Sequence, residues 1–283
     1  MVEHKVIGKS VPRLDALDKV TGAAKFVDDL QFGPTLLHAK ILRSPHPHAR
    51  IISIDTAAAA AAPGVRAVVT GRDCPNYIGL YLADRTIYAT DRVRFVGEPV
   101  AAVAADTPEA AAAAVSLIKV EYEPLPGIFD PVTGAKSHET LLHDAPSSTD
   151  MWWQGQTCIT TKTPGSLIHD NLGEYTCAPF IFPIPGTNIS NHFKLRKGDT
   201  DRGFAAADVV VENVYTLPHI QHSQIEPHSA VAHVDRAGKV TLWASSQSPN
   251  AVRKLIATAF DLPLSKIRVI TPYVGGGFGG KAG

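Results

Sequence analysis

Five glycines surround one phenylalanine in Gly275-Gly276-Gly277-Phe278-Gly279-Gly280, with Lys281 behind them and the β-branched stretch Lys266-Ile267-Arg268-Val269-Ile270 ahead. Residues without a Cβ let backbone N–H groups come close to a ligand, and a row of such donors suits an anionic or oxygen-rich partner. The run reads as a cofactor loop. Gly275-x-x-x-x-Gly280-Lys281 also fills the first seven positions of a phosphate-binding P-loop, but Ala282 stands where a hydroxyl would meet Mg²⁺. Gly275-x-Gly277-x-x-Gly280 fits a dinucleotide fingerprint, which needs a following helix and an acidic residue about 20 positions on. Neither accompanies it in this sequence. A nucleotide loop and a plain glycine-rich turn remain the weaker readings.

Histidines and acids give two further clusters. His46 and His48 alternate with Pro45 and Pro47, which hold extended backbone, and no cysteine or carboxylate stands at ligand spacing. A structural or surface role is expected there. His222, Glu226 and His228 place two imidazoles and a carboxylate within seven residues. That set could make a transition-metal site or an acid–base pair, or fill a core role.

The elements that must position these residues follow from periodicity. Short apolar runs at 36–42, 50–54, 65–69, 93–96 and 99–104 read as strands, separated by small alanine-rich helices. One helix covers Ala57 to Ala62 and is stopped by Pro63-Gly64; another opens at Thr107-Pro108-Glu109, with Thr as N-cap, Pro at N1 and an acid in the first turn. From Val132 to Pro185 the chain shows no sustained period, and Leu141-Leu142-His143-Asp144 nearly recurs as Leu167-Ile168-His169-Asp170. Residues 145–166 are expected to form an exposed loop, with Trp152 and Trp153 as the contrary signal. Beyond it, a short helix is expected over Phe204 to Ala207, strands over Val209 to Thr216, Ala230 to Val234 and Val240 to Ala244, and a helix from Ser248-Pro249 carrying Val252, Leu255, Ile256 and Ala259 on one face. The last strand then feeds the glycine loop.

At 283 residues there is room for two domains, and the 45% hydrophobic content suits globular cores. Lys+Arg and Asp+Glu both number 27, so charge points neither to nucleic acid nor to an anionic membrane surface. Three scattered cysteines, Cys74, Cys158 and Cys177, form neither a disulfide framework nor a cluster motif. No apolar run reaches the length of a membrane span, and the N-terminus leads into no apolar segment of a signal peptide. A cytoplasmic setting is the expectation.

Seven segments in this order carry a resemblance: Asp18-Lys19-Val20-Thr21-Gly22 through Asp29, Arg43-Ser44-Pro45-His46-Pro47-His48-Ala49-Arg50-Ile51, Val96-Gly97-Glu98-Pro99-Val100-Ala101, Val120-Glu121-Tyr122-Glu123-Pro124-Leu125-Pro126, Ile225-Glu226-Pro227-His228, Ser246-Gln247-Ser248-Pro249, and the glycine loop through Lys281. Together they resemble the N-terminal portion of the molybdopterin-binding large subunit of the xanthine dehydrogenase and aldehyde oxidase family. The resemblance covers the chain apart from residues 132–166.

It implies an α+β chain: an α/β hammerhead domain with its lead-in over residues 1–130, an irregular linker and insertion over 131–190, and the opening part of a molybdenum-cofactor domain over 191–283. It also implies oxidative hydroxylation of an aromatic, N-heterocyclic or aldehyde substrate with oxygen from water. The cofactor would be molybdenum-molybdopterin, with the cytosine dinucleotide form as one candidate. Electrons would pass to a [2Fe-2S] subunit and an FAD subunit. Carried over by position, Gln247, Gly276, Gly277, Phe278, Gly279 and Gly280 are cofactor-binding, with Gln247 and Phe278 touching the oxo ligands of molybdenum. No catalytic general base is expected within this sequence; a complementary molybdenum-domain chain or a further C-terminal part would supply it. Relatives acting on purines carry a glutamate after the loop lysine, and Ala282 stands there, so xanthine is not the expected substrate. The competing expectation is a truncated, non-catalytic remnant that binds partner subunits without molybdenum.

Overall fold

In a computed structural model, residues 6–79, 84–143, 184, 186–192 and 197–282 are described. The expectation for residues 145–166 falls outside them. Elements in chain order are α1 (Ala16–Thr21), β1 (His38–Arg43), β2 (Ala49–Asp55), α2 (Ala57–Ala60), β3 (Val65–Thr70), β4 (Arg92–Val93), β5 (Pro99–Ala105), α3 (Pro108–Val115), β6 (Lys119–Pro124), α4 (Pro131–Lys136), α5 (Thr200–Ala205), β7 (Ala230–Val234), β8 (Val240–Ala244), α6 (Pro249–Ala259) and β9 (Ile267–Ile270). The chain divides into two compact units, one of residues 34–221 and 255–262, the other of 1–33, 222–254 and 263–283.

In the first unit β5 is the middle strand of the sheet β1-β5-β3, antiparallel to both neighbours. Its sequence explains that place. Val100 faces Ala49, Ala89 and Val93, while Ala101 and Val103 turn to the opposite side and meet Ala59, Ala114 and Ile118. A strand buried on both faces needs apolar residues at every position, and β5 supplies only Val and Ala after its proline. The alanines Ala59 on α2 and Ala114 on α3 have no exposed surface, so both helices lie close on the sheet. The second sheet, β4-β2-β6, is also antiparallel.

Local start signals behave as the residue types dictate. Thr107 Oγ1 accepts from the Ala110 N–H (3.1 Å) with Pro108 at the first helical position. Asp130 likewise caps α4, a helix inside the stretch expected to be irregular. His46 packs its ring 4.9 Å from Tyr122, and buried His48 bonds through Nδ1 to Pro126 O (2.8 Å), so each has a structural partner.

Three expectations are corrected. The strand expected over 93–96 is only β4, because Gly97 at φ +92° turns the chain. The helix near Phe204 starts earlier, at Thr200, because the Asp199 carboxylate accepts from Arg202 N and caps it there. Val209 to Thr216 is not a strand. Val209, Val211 and Val214 are exposed there, and no described strand pairs with this segment.

The second unit is built on the sheet β7-β8-β9, in which β7 and β8 form an antiparallel hairpin and β9 runs parallel to β8. The hairpin turn is held by Asp235, which accepts from the Ala237 and Lys239 N–H groups. α6 follows β8 and leads to β9, the crossover that a parallel pair requires. No described helix is long and apolar enough to cross a membrane.

Candidate cofactor-binding site

Because β8 and β9 are parallel, the chain leaves both at the same end of the sheet. The exit of β8 is Ser245-Ser246-Gln247, and the exit of β9 runs through Thr271 to Val274 into the glycine loop. The carboxyl end of parallel strands is where such sheets present ligand-binding loops. This topology brings Gln247 and Gly275–Lys281 together.

Contacts between them are close. Gln247 Oε1 accepts from the Gly279 N–H (2.9 Å) and the Lys281 N–H (3.4 Å), and the Gln247 N–H donates to Lys281 O (2.8 Å). A Cβ on Gly277 would lie 2.4 Å from Gln247 Oε1, and one on Gly275 would lie 2.5 Å from the Glu226 Cβ. A side chain at either place would force its neighbour to move. Gly276 and Gly279 have φ of +100° and +91°, and Phe278 adopts φ +50°, costing a non-glycine residue about 1–2 kcal/mol. The Phe278 side chain is nonetheless 73% exposed. A strained backbone that presents an aromatic ring to solvent packs no core, and such outliers concentrate where a ligand binds.

Hydrogen bonds within the loop leave a defined set of donors open. Gly275 N–H is taken by Glu226, Gly279 and Lys281 N–H by Gln247, and Gly280 N–H by Gly277 O (2.7 Å). The N–H groups of Gly276, Gly277 and Phe278 have no partner among the described residues, and neither does Gln247 Nε2. Oε1 is placed toward the loop by those two N–H donors, so the amide presents its NH₂ as a donor away from them.

Beneath the loop stands Glu226. Its Oε2 accepts from Gly275 N–H (2.7 Å), Ser245 Oγ (2.7 Å) and Lys281 Nζ (2.8 Å). Burial opposes ionisation of this carboxyl, but the bonds from Lys281, Ser245 and Gly275 outweigh it and hold the group below its ordinary value. His222 lies under Gly279 and Gly280, 3.3 Å from where a Gly280 Cβ would be. His228 Nε2 is 3.3 Å from Gln224 Nε2. Of the three residues in that cluster, Glu226 and His222 touch the loop.

The lead-in also reaches this unit. Tyr273, two residues before the loop, donates its hydroxyl proton to Asp18 and its N–H to Lys25 O (3.4 Å), and Ser229 Oγ donates to Asp28 (2.6 Å). The compact division places residues 1–33 in the same unit as the loop. Sequence reasoning missed Lys281 and Ser245 as partners of Glu226. Separations of 55 and 19 residues carry no periodic signal.

A family model described as the aldehyde oxidase and xanthine dehydrogenase a/b hammerhead domain matches residues 21–126, and a molybdopterin cofactor-binding domain matches residues 182–283. The chain is 35% identical over 281 residues to the nicotinate dehydrogenase large molybdopterin subunit of Eubacterium barkeri, covering 99% of this chain and 56% of that protein. It is 33% identical to the carbon monoxide dehydrogenase large chain of Afipia carboxidovorans, covering 96% of this chain and 31% of that one. The crystal structure of quinoline 2-oxidoreductase from Pseudomonas putida 86 superposes with a TM-score of 0.73 at 29% identity, over 99% of this chain and 32% of the other. The chain thus spans about half the length of one relative and about a third of the other two. With a match to the hammerhead domain followed by one to the molybdopterin cofactor-binding domain that contains the glycine loop, the chain belongs to the aldehyde oxidase and xanthine dehydrogenase family and corresponds to the N-terminal portion of its large subunits.

Proposed function

We propose that this chain contributes the glycine-loop part of a molybdenum hydroxylase acting on an N-heteroaromatic compound, with other aromatics and aldehydes as the broader class. Two of the three proteins compared above are named for nicotinate and quinoline, both N-heteroaromatics. Ala282 leaves no carboxylate directly after Lys281 to bind a purine. The partners in this reading are a chain or chain segment completing the molybdenum domain, a [2Fe-2S] subunit and an FAD subunit.

The observation that carries the reading is the row of open donors. Molybdenum-molybdopterin is rich in oxygen acceptors, and the N–H groups of Gly276, Gly277 and Phe278, which have no partner among the described residues, fit such a group with Gln247 Nε2 beside them. Gly276 to Gly280 and Gln247 would hold it. When bound, the cofactor supplies the oxidation of a substrate carbon with water-derived oxygen and passes the electrons onward. The chain's own residues have simpler tasks. Gln247 Nε2 donates a hydrogen bond toward the bound group, the glycines allow close backbone approach, and the exposed Phe278 ring offers an apolar wall for a planar substrate.

The test is to purify the chain with its partner chains and measure molybdenum, pterin and turnover of quinoline- and nicotinate-type substrates in ¹⁸O-labelled water. Labelled product at a rate above that with aldehydes supports the reading. An assembled complex without molybdenum would instead favour a scaffolding chain.

A further inference from the structure

Both ends of the glycine loop are tied to one atom. Glu226 Oε2 receives the N–H of Gly275, where the loop opens, and the ammonium of Lys281, where it closes. Ser245 Oγ completes a triangle, donating to Glu226 Oε2 and accepting from Lys281 Nζ, each at 2.7 Å. The Lys281 side chain has no exposed surface and that of Glu226 is 13% exposed. Among the described residues Glu226 is the only ion-pair partner of Lys281. The backbone of the same lysine binds Gln247: Lys281 O accepts from the Gln247 N–H and from Ser246 Oγ. The lysine therefore links the carboxylate on one side of the loop to the amide on the other.

A buried ion pair is a poor way to gain stability, because desolvating two charges offsets most of their attraction and apolar residues of like volume often serve better. What it does supply is direction. Charge-assisted hydrogen bonds are short and geometrically demanding, so a pair that binds both ends of a loop fixes its span. The open N–H groups of Gly276, Gly277 and Phe278 lie within that span, on a backbone that adopts unfavourable φ at Phe278. Free glycine-rich chain would not hold that shape, since it has the most conformational freedom to lose.

We propose that Glu226 and Lys281 form a buried ionic clasp that fixes the shape of the glycine loop, making them positioning residues for the group the loop holds. The claim about the bound group rests on the proposed function; the claim about the loop does not. Glu226→Gln can still accept from Gly275 but leaves the ammonium without a counter-charge. Lys281→Met leaves the carboxylate alone. The double variant Glu226→Gln/Lys281→Met removes both charges and with them the penalty of an unpaired one, so it is the variant expected to fold if either single one fails.

Amide hydrogen exchange on the molybdenum-free protein reads the clasp directly. In the folded double variant the peptide spanning residues 274–282 should exchange about tenfold faster than in the parent, while β7 and β8 keep their protection. Lys281→Arg, which keeps the charge, should recover part of the loop protection. Molybdenum content of the assembled enzyme should fall along with loop protection. Parent-like loop exchange in the double variant would overturn the clasp, and a loosened loop with molybdenum content unchanged would overturn its positioning role for the bound group. If the parent enzyme itself held no molybdenum, the proposed function would fail while the exchange comparison still decided the clasp.

Discussion

Gly277→Ala tests how tightly the loop and Gln247 are fitted. The new Cβ would meet Gln247 Oε1 at 2.4 Å, Cδ at 2.5 Å and Cγ at 2.7 Å, all well inside contact distance. Unlike Gly276 and Gly279, Gly277 does not lie in the left-handed region, so alanine meets no backbone strain and the cost is the displaced side chain. Gln247 is flexible in itself but anchored, since its Oε1 holds the N–H groups of Gly279 and Lys281. Moving it breaks one or two hydrogen bonds at about 0.5–1.5 kcal/mol each, or roughly 1–3 kcal/mol together. Thermal denaturation should show that loss, and the assembled enzyme should lose cofactor or turnover by about ten- to hundredfold. The double variant Gly277→Ala/Gln247→Ala separates the causes. Removing the glutamine side chain vacates the space, so loop packing should recover while cofactor retention should not. A silent Gly277→Ala, or a double variant less stable than the single one, would refute the reasoning.

Gln247→Ala alone should cost about 1–3 kcal/mol in transition-state or cofactor binding, because one directed donor is lost; unchanged molybdenum content and rate would mean that the amide serves only the loop. Acid should release the loop through Glu226. Its carboxyl is held below the ordinary 4.5, so its contribution is complete above that value and is lost as pH falls through the lowered one. Loop protection should therefore stay level from about pH 7 to about pH 5 and drop only in stronger acid, a step that Glu226→Gln should abolish. Ala114→Leu should destabilise the hammerhead unit by about 1–3 kcal/mol, since Ala114 has no exposed surface and packs on Ala59, Ala101 and Val103. An unchanged melting temperature would show room that the packing does not contain.

The β5 strand and its neighbours were legible in sequence because local rules govern them: β-branched and alanine runs between Gly and Pro, and Thr107-Pro108-Glu109 at a helix start. The candidate loop was legible in its glycines, which stand in one compact segment, whereas Gln247 was singled out only through the resemblance carried by Ser246-Gln247-Ser248-Pro249. Glu226 was visible as a candidate but without its partners. No local pattern pairs it with Lys281, because that pairing depends on β8 and β9 lying parallel across α6. Val209 to Thr216 fails for the complementary reason. Its composition favours a strand, but a strand exists only where another edge accepts its hydrogen bonds.

The same dependence explains why the lead-in matters to the loop. Tyr273 is anchored to Asp18 through its hydroxyl and to Lys25 through its N–H, and Lys19 stands 5.8 Å over its ring. The Asp18 carboxylate, accepting that hydroxyl, raises the Tyr273 pKa. Residues far apart in sequence thus hold the β9 exit just before Gly275, and the Glu226–Lys281 pair holds the loop immediately after it. A run of glycines can present a fixed row of donors only if its flanks are fixed by something else. Here the chain supplies that constraint from its lead-in, from residue 226 and from the end of β8, three segments that become neighbours only in the folded unit.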